Sequence, residues 1–209
     1  MAMRTQTAAL EADLDVPPRG ENETAWLDQL ALLDLAGAAV PAIPEALRAT
    51  WAARQKSLRG RLRAQQALAT GWRLPVHDRE VFHEVSAAVL DVPFAEVSLR
   101  LSPAQNWGCQ LENYLGGEIA VDVWDTDRRP VLVRERMVLG TPWYALGARD
   151  LDLSKYELIS YASDSIRVNW TVTDSANDSV YRDDGYLLFR PWDGGERTLA
   201  IFNSVHHLN

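Results

Sequence analysis

From Gly117 to His207 the chain holds six segments that are alternating or strongly β-branched: Glu118 to Trp124, Val131 to Leu139, Tyr156 to Ser163, Ile166 to Thr173, Gly185 to Arg190 and Thr198 to His207. Alternation with a period of two, rich in β-branched and aromatic residues, predicts strands. The joints Asp125-Thr126-Asp127, Asp183-Asp184-Gly185 and Asp193-Gly194-Gly195 carry residues that favour tight turns, so the strands are expected to form an antiparallel meander.

Upstream the period changes. Residues 1–21 are small and polar and end in Pro17-Pro18-Arg19-Gly20, which predicts a frayed, flexible leader with an extended stop. A helix is expected over Glu23 to Ala39, with Asn22 as N-cap and Trp26, Leu30, Leu33 and Gly37 on one face. A second is expected from Pro44 to about Ala69, with Leu47, Trp51, Leu58 and Leu62 on one face. The run Trp72 to Val76 reads as a short strand. Arg79 to Leu90 is expected as a helix capped by Asp78 and burying Val81, Phe82, Val85 and Val89. Pro93 opens a shorter helix, Phe94 to Leu101. The domain division that follows is a leader (1–21), a helical hairpin (22–70) and a sheet domain (71–209).

The chain has 209 residues, 47% of them hydrophobic, with eight tryptophans, which is enough for a sizeable core. Of the formal net charge of −8, the whole excess lies in residues 71–209, where 13 Lys and Arg face 21 Asp and Glu. Such a surface repels nucleic acid and anionic head groups. The expected second helix is the exception, setting Arg48, Arg54, Lys56, Arg59, Arg61 and Arg63 against Glu45. Two readings stay open for it: a solvated face or one packed near the acidic domain, against a docking face for an acidic partner or nucleic acid. The single Cys109 excludes an intrachain disulfide and suits a reducing compartment, so a cytoplasmic location is expected. Glu11, Asp13 and Asp15 interrupt any apolar leader, and no apolar run reaches 18 residues, so neither a signal peptide nor a membrane span is expected.

The order of a strand, two short helices and a long antiparallel meander resembles the START-like, helix-grip superfamily, which includes bacterial polyketide cyclases, aromatases and lipid-transfer domains. The resemblance covers roughly Trp72 to Asn209. Its local marks are Pro142-Trp143 before Ala148-Arg149-Asp150, the strand Val168-Asn169-Trp170, and Gly185-Tyr186-Leu187-Leu188-Phe189 before Thr198-Leu199-Ala200. It implies an α+β fold in which a curved antiparallel sheet of six or seven strands grips a helix around a cavity, with an N-terminal helical extension. It also implies a long C-terminal helix over the sheet, where this sequence ends at His206-His207-Leu208-Asn209. The expectation is therefore either a truncated domain or a sheet covered by the N-terminal helices, a partner or a second copy, since a bare apolar face invites aggregation.

Candidate site residues follow from strand parity. On Val131 to Leu139 the odd positions are Val131, Val133, Glu135, Met137 and Leu139, which places one carboxylate amid apolar neighbours. Glu135 is then either an orienting or proton-moving group in a cavity, or the partner of Arg134, Arg136 or Arg167. Trp170 either stacks on a flat ligand or fills the core. The cavity is expected to be lined by Val133, Glu135, Met137, Val168, Trp170, Leu187, Phe189, Leu199 and Ile201, and to take an apolar, lipid-like or aromatic molecule. Binding or transport is the leading reading. The alternatives are a cyclase or aromatase using Glu135, and a protein-interaction module.

Other chemistry lacks a motif. His206 and His207 are neighbours on a strand and point to opposite faces, and His77 and His83 are six apart, so no metal site is expected. There is no G-x-S-x-G elbow, and Cys109 has no sequence-readable base. Gly116-Gly117 precedes a strand and Gly194-Gly195 is a hairpin tip, so no phosphate-cradling loop is present and no cofactor is implied.

Overall fold

The structure, a computed structural model, describes residues 22–76, 79–101, 118–125, 131–139, 151–175 and 180–208. Among the described residues eight strands form one antiparallel sheet: β1 (Leu68–Val76), β2 (Arg79–Leu90), β3 (Glu118–Asp125), β4 (Val131–Leu139), β5 (Leu151–Ala162), β6 (Ser165–Ser175), β7 (Val180–Trp192) and β8 (Arg197–Leu208). Their order is β1-β2-β8-β7-β6-β5-β4-β3, so the meander returns to lay its last strand against β2. The helices are α1 (Asn22–Leu35), α2 (Arg48–Arg63, preceded by a 3-10 turn at Glu45–Leu47) and α3 (Phe94–Leu101). This is an α+β arrangement built on one antiparallel sheet, as expected above, with eight strands among the described residues.

The additional strand is the segment Arg79 to Leu90, expected as a helix. It pairs with β1 from Val76↔Arg79 to Leu68↔Ala87 and with β8 from Glu80↔Leu208 to Leu90↔Thr198. The spacing of Val81, Val85 and Val89 is four, which fits one face of a helix but is also a multiple of two. Ladders on both sides resolve the ambiguity in favour of the strand, where β-branched residues pack well. Of the two short helices expected in this domain, α3 forms over the expected residues.

The two faces of the sheet can be read from consecutive residues. On the outer face Val85, Ala87, Val89, Tyr186, Leu188, Leu199 and Ile201 share a core with Trp26, Leu27, Leu30, Leu32 and Leu33 of α1 and Leu58 and Leu62 of α2. On the inner face Ile159, Ile166, Val168 and Phe189 pack with Phe94, Val97 and Leu101 of α3. Leu188 and Phe189 are neighbours in sequence, yet belong to different cores, as strand pleating requires.

Helix α1 is apolar nearly all round because it is the middle layer, between sheet and α2; such a helix is stable only when buried. Its Gln29 is fully buried and donates from Nε2 to the carbonyl of His83 at 3.2 Å. Arg54 of α2 meets both carboxylate oxygens of Asp28 at 2.8 and 2.9 Å. Arg48 pairs with Glu45. Two cations of the basic helix are thus paired, and Lys56, Arg59, Arg61 and Arg63 are exposed.

Helix α1 stops at Leu35, short of the expected Ala39. Gly37, at φ +72°, turns the chain out of the helix: its N–H donates to the Asp34 carbonyl at 2.8 Å and that of Ala38 to Leu33 at 3.0 Å, a Schellman end. The Arg190 guanidinium from β7 donates to the Ala36 carbonyl at 2.8 Å, so that a β-carbon on Gly37 would collide with it. Likewise α2 ends at Arg63, ahead of the expected Ala69, because Leu68 already belongs to β1.

The expected leader 1–21 lies outside the described residues. Since Leu30 has no exposed surface and sits between two layers, Leu30→Ala should cost about 2–5 kcal/mol in urea-induced unfolding, in one transition shared with the sheet. A separate, earlier transition for the helices would show instead that they are an appendage.

Candidate functional site

The inner face holds an open groove of about 320 Å3 beside α3, on strands β1, β2, β8 and β7. Its floor is made of small side chains, Ala69, Ser86, Ala88 and Ala200, with Leu187 and Phe202 as the bulkier walls. Register explains the grouping. Ala69 stands opposite Ser86, Ser86 opposite Phe202, Phe202 opposite Leu187, and Leu187 opposite Val168, forming one row across five strands.

The next row runs Glu84, Ser204, Gly185, Trp170 and Glu157, continuing in backbone register to Val133 of β4. Gly185 is what shapes it. A β-carbon there would run into the indole of Trp170 and the carbonyl of Asn203, so glycine lets the indole lie across β7. Trp170 stacks on Phe202 with centroids 5.1 Å apart and planes 26° from parallel, and its Nε1 donates to Asp183 at 3.1 Å. Trp170 thus forms part of a half-buried aromatic plate at the end of the groove.

The expected lining residues divide. Val168, Trp170, Leu187 and Phe189 lie on the inner face, with Leu187 in the groove itself. Leu199 and Ile201 lie on the outer face, 2% and 0% exposed beneath α1; the inner positions of β8 are Ala200 and Phe202. Both faces of β8 are apolar, so parity alone does not tell them apart. Val133, Glu135 and Met137 of β4 stand opposite Glu157, Lys155 and Leu153 in the β4–β5 register. Arg167, one suggested partner of Glu135, lies over the Tyr186 ring at 4.0 Å and donates from Nε to Asn169 at 2.9 Å. Tyr186 belongs to the outer core.

Glu157, which sequence reasoning passed over, is a carboxylate only 4% exposed, directly across the ladder from Trp170. Its signal was present: it alternates with Ile159 and Tyr161, just as Glu135 alternates with valines. The inner face is further tied to α3 by Tyr161, whose hydroxyl donates to the Leu101 carbonyl at 2.8 Å.

The N-terminal helices cover the sheet, one of the expected arrangements, but on the face away from the groove. Trp26, Leu30, Leu33 and Leu58 are buried, but against the opposite face. Among the described residues no group of three or more His, Cys, Asp or Glu is placed to hold a metal ion, and no helix is long and apolar enough to cross a membrane. His77, Cys109 and the marks Pro142-Trp143 and Ala148-Arg149-Asp150 lie outside the described residues.

No family model and no curated protein matches the sequence. Solved structures with similar backbones include a STAR-related lipid transfer protein from Xanthomonas axonopodis, 11% identical over 65% of this chain and 75% of that one, with a TM-score of 0.44. The Zhui aromatase/cyclase from Streptomyces sp. R1128 is 13% identical over 62% of this chain and 69% of its own, also at 0.44. A truncated norcoclaurine synthase from Thalictrum flavum is 8% identical over 65% and 81%, at 0.41. These are likenesses of backbone alone, and what those proteins carry or transform is a property of theirs.

Gly185→Ala should push Trp170 off Phe202. The expected result is a loss of about 1–3 kcal/mol in stability together with a changed near-UV circular dichroism signal. An unchanged spectrum would mean that the plate does not depend on the glycine.

Proposed function

We propose that this chain binds a small apolar or aromatic molecule on the inner face of its sheet. The observation that carries the reading is the groove: apolar, about 320 Å3, floored by alanines and ending in an aromatic pair, on the face that the N-terminal helices leave open. A volume of that size lies at the lower end of the range for small-molecule sites. Small floor residues leave room for a ligand where larger ones would have closed the surface on itself, and Trp170 with Phe202 offers a π-face.

Val168, Leu187 and Phe189 supply the apolar wall in this reading, and Val133, Glu135 and Met137 extend it along β4. A cyclase- or aromatase-like activity is the second reading. Glu157 favours it, as a buried carboxylate beside the plate that could exchange a proton with a bound carbonyl.

Filling the groove tests the binding reading. Ala88→Leu and Ala200→Leu should each lower the affinity for Nile red by about tenfold or more, with far-UV circular dichroism unchanged. Leu99→Ser, at an exposed position on α3, serves as the control and should bind as the parent does. Equal binding by all three variants sinks the assignment of the groove.

Glu135→Gln separates the two roles open for that residue. Weaker binding with equal or greater stability fits a ligand-orienting carboxylate. Unchanged binding with a Tm several degrees lower, from a loss on the order of 1–3 kcal/mol, fits a structural ion pair.

A further inference from the structure

On the side of the sheet away from the groove, the outermost layer carries a cationic strip. Along α2, Lys56, Arg59 and Arg63 follow at three and four residues, the spacing that puts side chains on one side of a helix, and all three are exposed. Ala52, Ala53 and Gly60 beside them are exposed too, so no bulky side chain shields the charges. Among the described residues none of the three cations forms an ion pair. Of the carboxylates in the two-helix layer, Asp28 is held by Arg54, Asp34 by Gln55 and Glu45 by Arg48, and Glu23 makes no ion pair. Arg61 lies off the strip and donates from Nε to Gln66 at 3.1 Å.

A partner for the strip must be anionic, yet the molecule as a whole carries a formal charge of −8. A long polyanion or an anionic bilayer extends beyond the helix and meets that repulsion. A short acidic segment does not extend so far, and this chain contains one. From Thr5 to Pro18 the leader holds no cation and carries three carboxylates at alternate positions, Glu11, Asp13 and Asp15.

The attachment point suits the contact. The leader joins α1 at Asn22, and the start of α1 lies beside the end of α2: Thr70, seven residues past that end, donates from Oγ1 to the Ala25 carbonyl at 3.2 Å. Seven residue steps separate Asp15 from Asn22, a reach of up to about 23 Å. The strip from Lys56 to Arg63 is about 10 Å long. Exposed ion pairs are individually weak, so a tether this short, which raises the local concentration to the millimolar range, matters as much as the charges.

We propose that the segment Glu11 to Asp15 docks on Lys56, Arg59 and Arg63 of the same chain. The seated leader closes the strip to outside polyanions, and rising salt releases it. The contact is on the face opposite the groove and stands whether or not the groove takes a ligand.

Lysine chemistry makes the test specific, because Lys56 and Lys155 are the two lysines of the chain. The full chain, as an equal mixture of unlabelled and isotope-labelled protein, is treated with a zero-length carbodiimide coupler, and the joined peptides are identified by mass spectrometry. The expected product links Lys56 to Glu11, Asp13 or Asp15 with both peptides from one isotope pool, and its yield falls about fivefold or more in about 1 M NaCl. Arg59→Gln together with Arg63→Gln, both at exposed positions, should lower the yield about threefold or more with the far-UV circular dichroism unchanged. The salt series needs no variant and decides even if the substitutions disturb the helix.

A Lys56 product that mixes the isotope pools is a contact between two copies and overturns the inference. So does the absence of any Lys56 product, or one formed with carboxylates outside the leader. Leader carboxylates coupled to Lys155 as readily as to Lys56, or a yield indifferent to salt, shows contact without the strip and overturns it as well.

Discussion

Strands β7 and β8 are apolar on both faces, and the molecule is organised around covering both. Leu187, Leu188 and Phe189 follow one another, as do Leu199, Ala200, Ile201 and Phe202, so pleating sends large apolar side chains to each side. An antiparallel sheet with one wet face does not have such runs. The outer face is covered by α1, which is itself covered by α2, giving three layers. The inner face is covered by α3 over β5, β6 and β7, and next to that contact lies the groove. Burial of Trp26, Leu30 and Leu33 therefore stabilises the same strands whose other sides form the candidate site.

Two glycines set the geometry that links these layers. Gly37 follows α1 where the Arg190 guanidinium reaches the Ala36 carbonyl just past the helix end, fixing the helix against β7 on the outer side. Gly185, five residues before Arg190 on the same strand, lets the indole of Trp170 cross the inner side and meet Phe202. Neither position tolerates a side chain without movement of its neighbour. One strand thus anchors the covering helix with one face and the aromatic plate with the other.

Much of the fold was legible in the sequence. The boundaries of β4 and α3 follow from periodicity, because each has one clean repeat: Val131, Val133, Met137 and Leu139 at period two, and Phe94, Val97 and Leu101 at helical spacing. Arg79 to Leu90 was misread because valines four apart satisfy both periods, and its Ser86-Ala87-Ala88 centre adds helical propensity. The site was legible in part. Val168, Trp170, Leu187 and Phe189 were identified by parity, whereas Ala69, Ser86, Ala88 and Ala200 were not, since small residues give no periodic signal.

By itself, the sequence determined which segments are strands in the meander, where α3 lies, and that the N-terminal helices have apolar stripes needing cover. Each of these depends on local spacing, which the chain carries within a dozen residues. The tertiary structure alone decided which face of β8 belongs to which core, placing Leu199 and Ile201 under α1 and Ala200 and Phe202 toward the groove. It also decided that β2 is a strand, through partners on either side that are distant in the chain. The reason is the same in both cases: alternation defines two faces without naming them, and a name comes only from what packs on each.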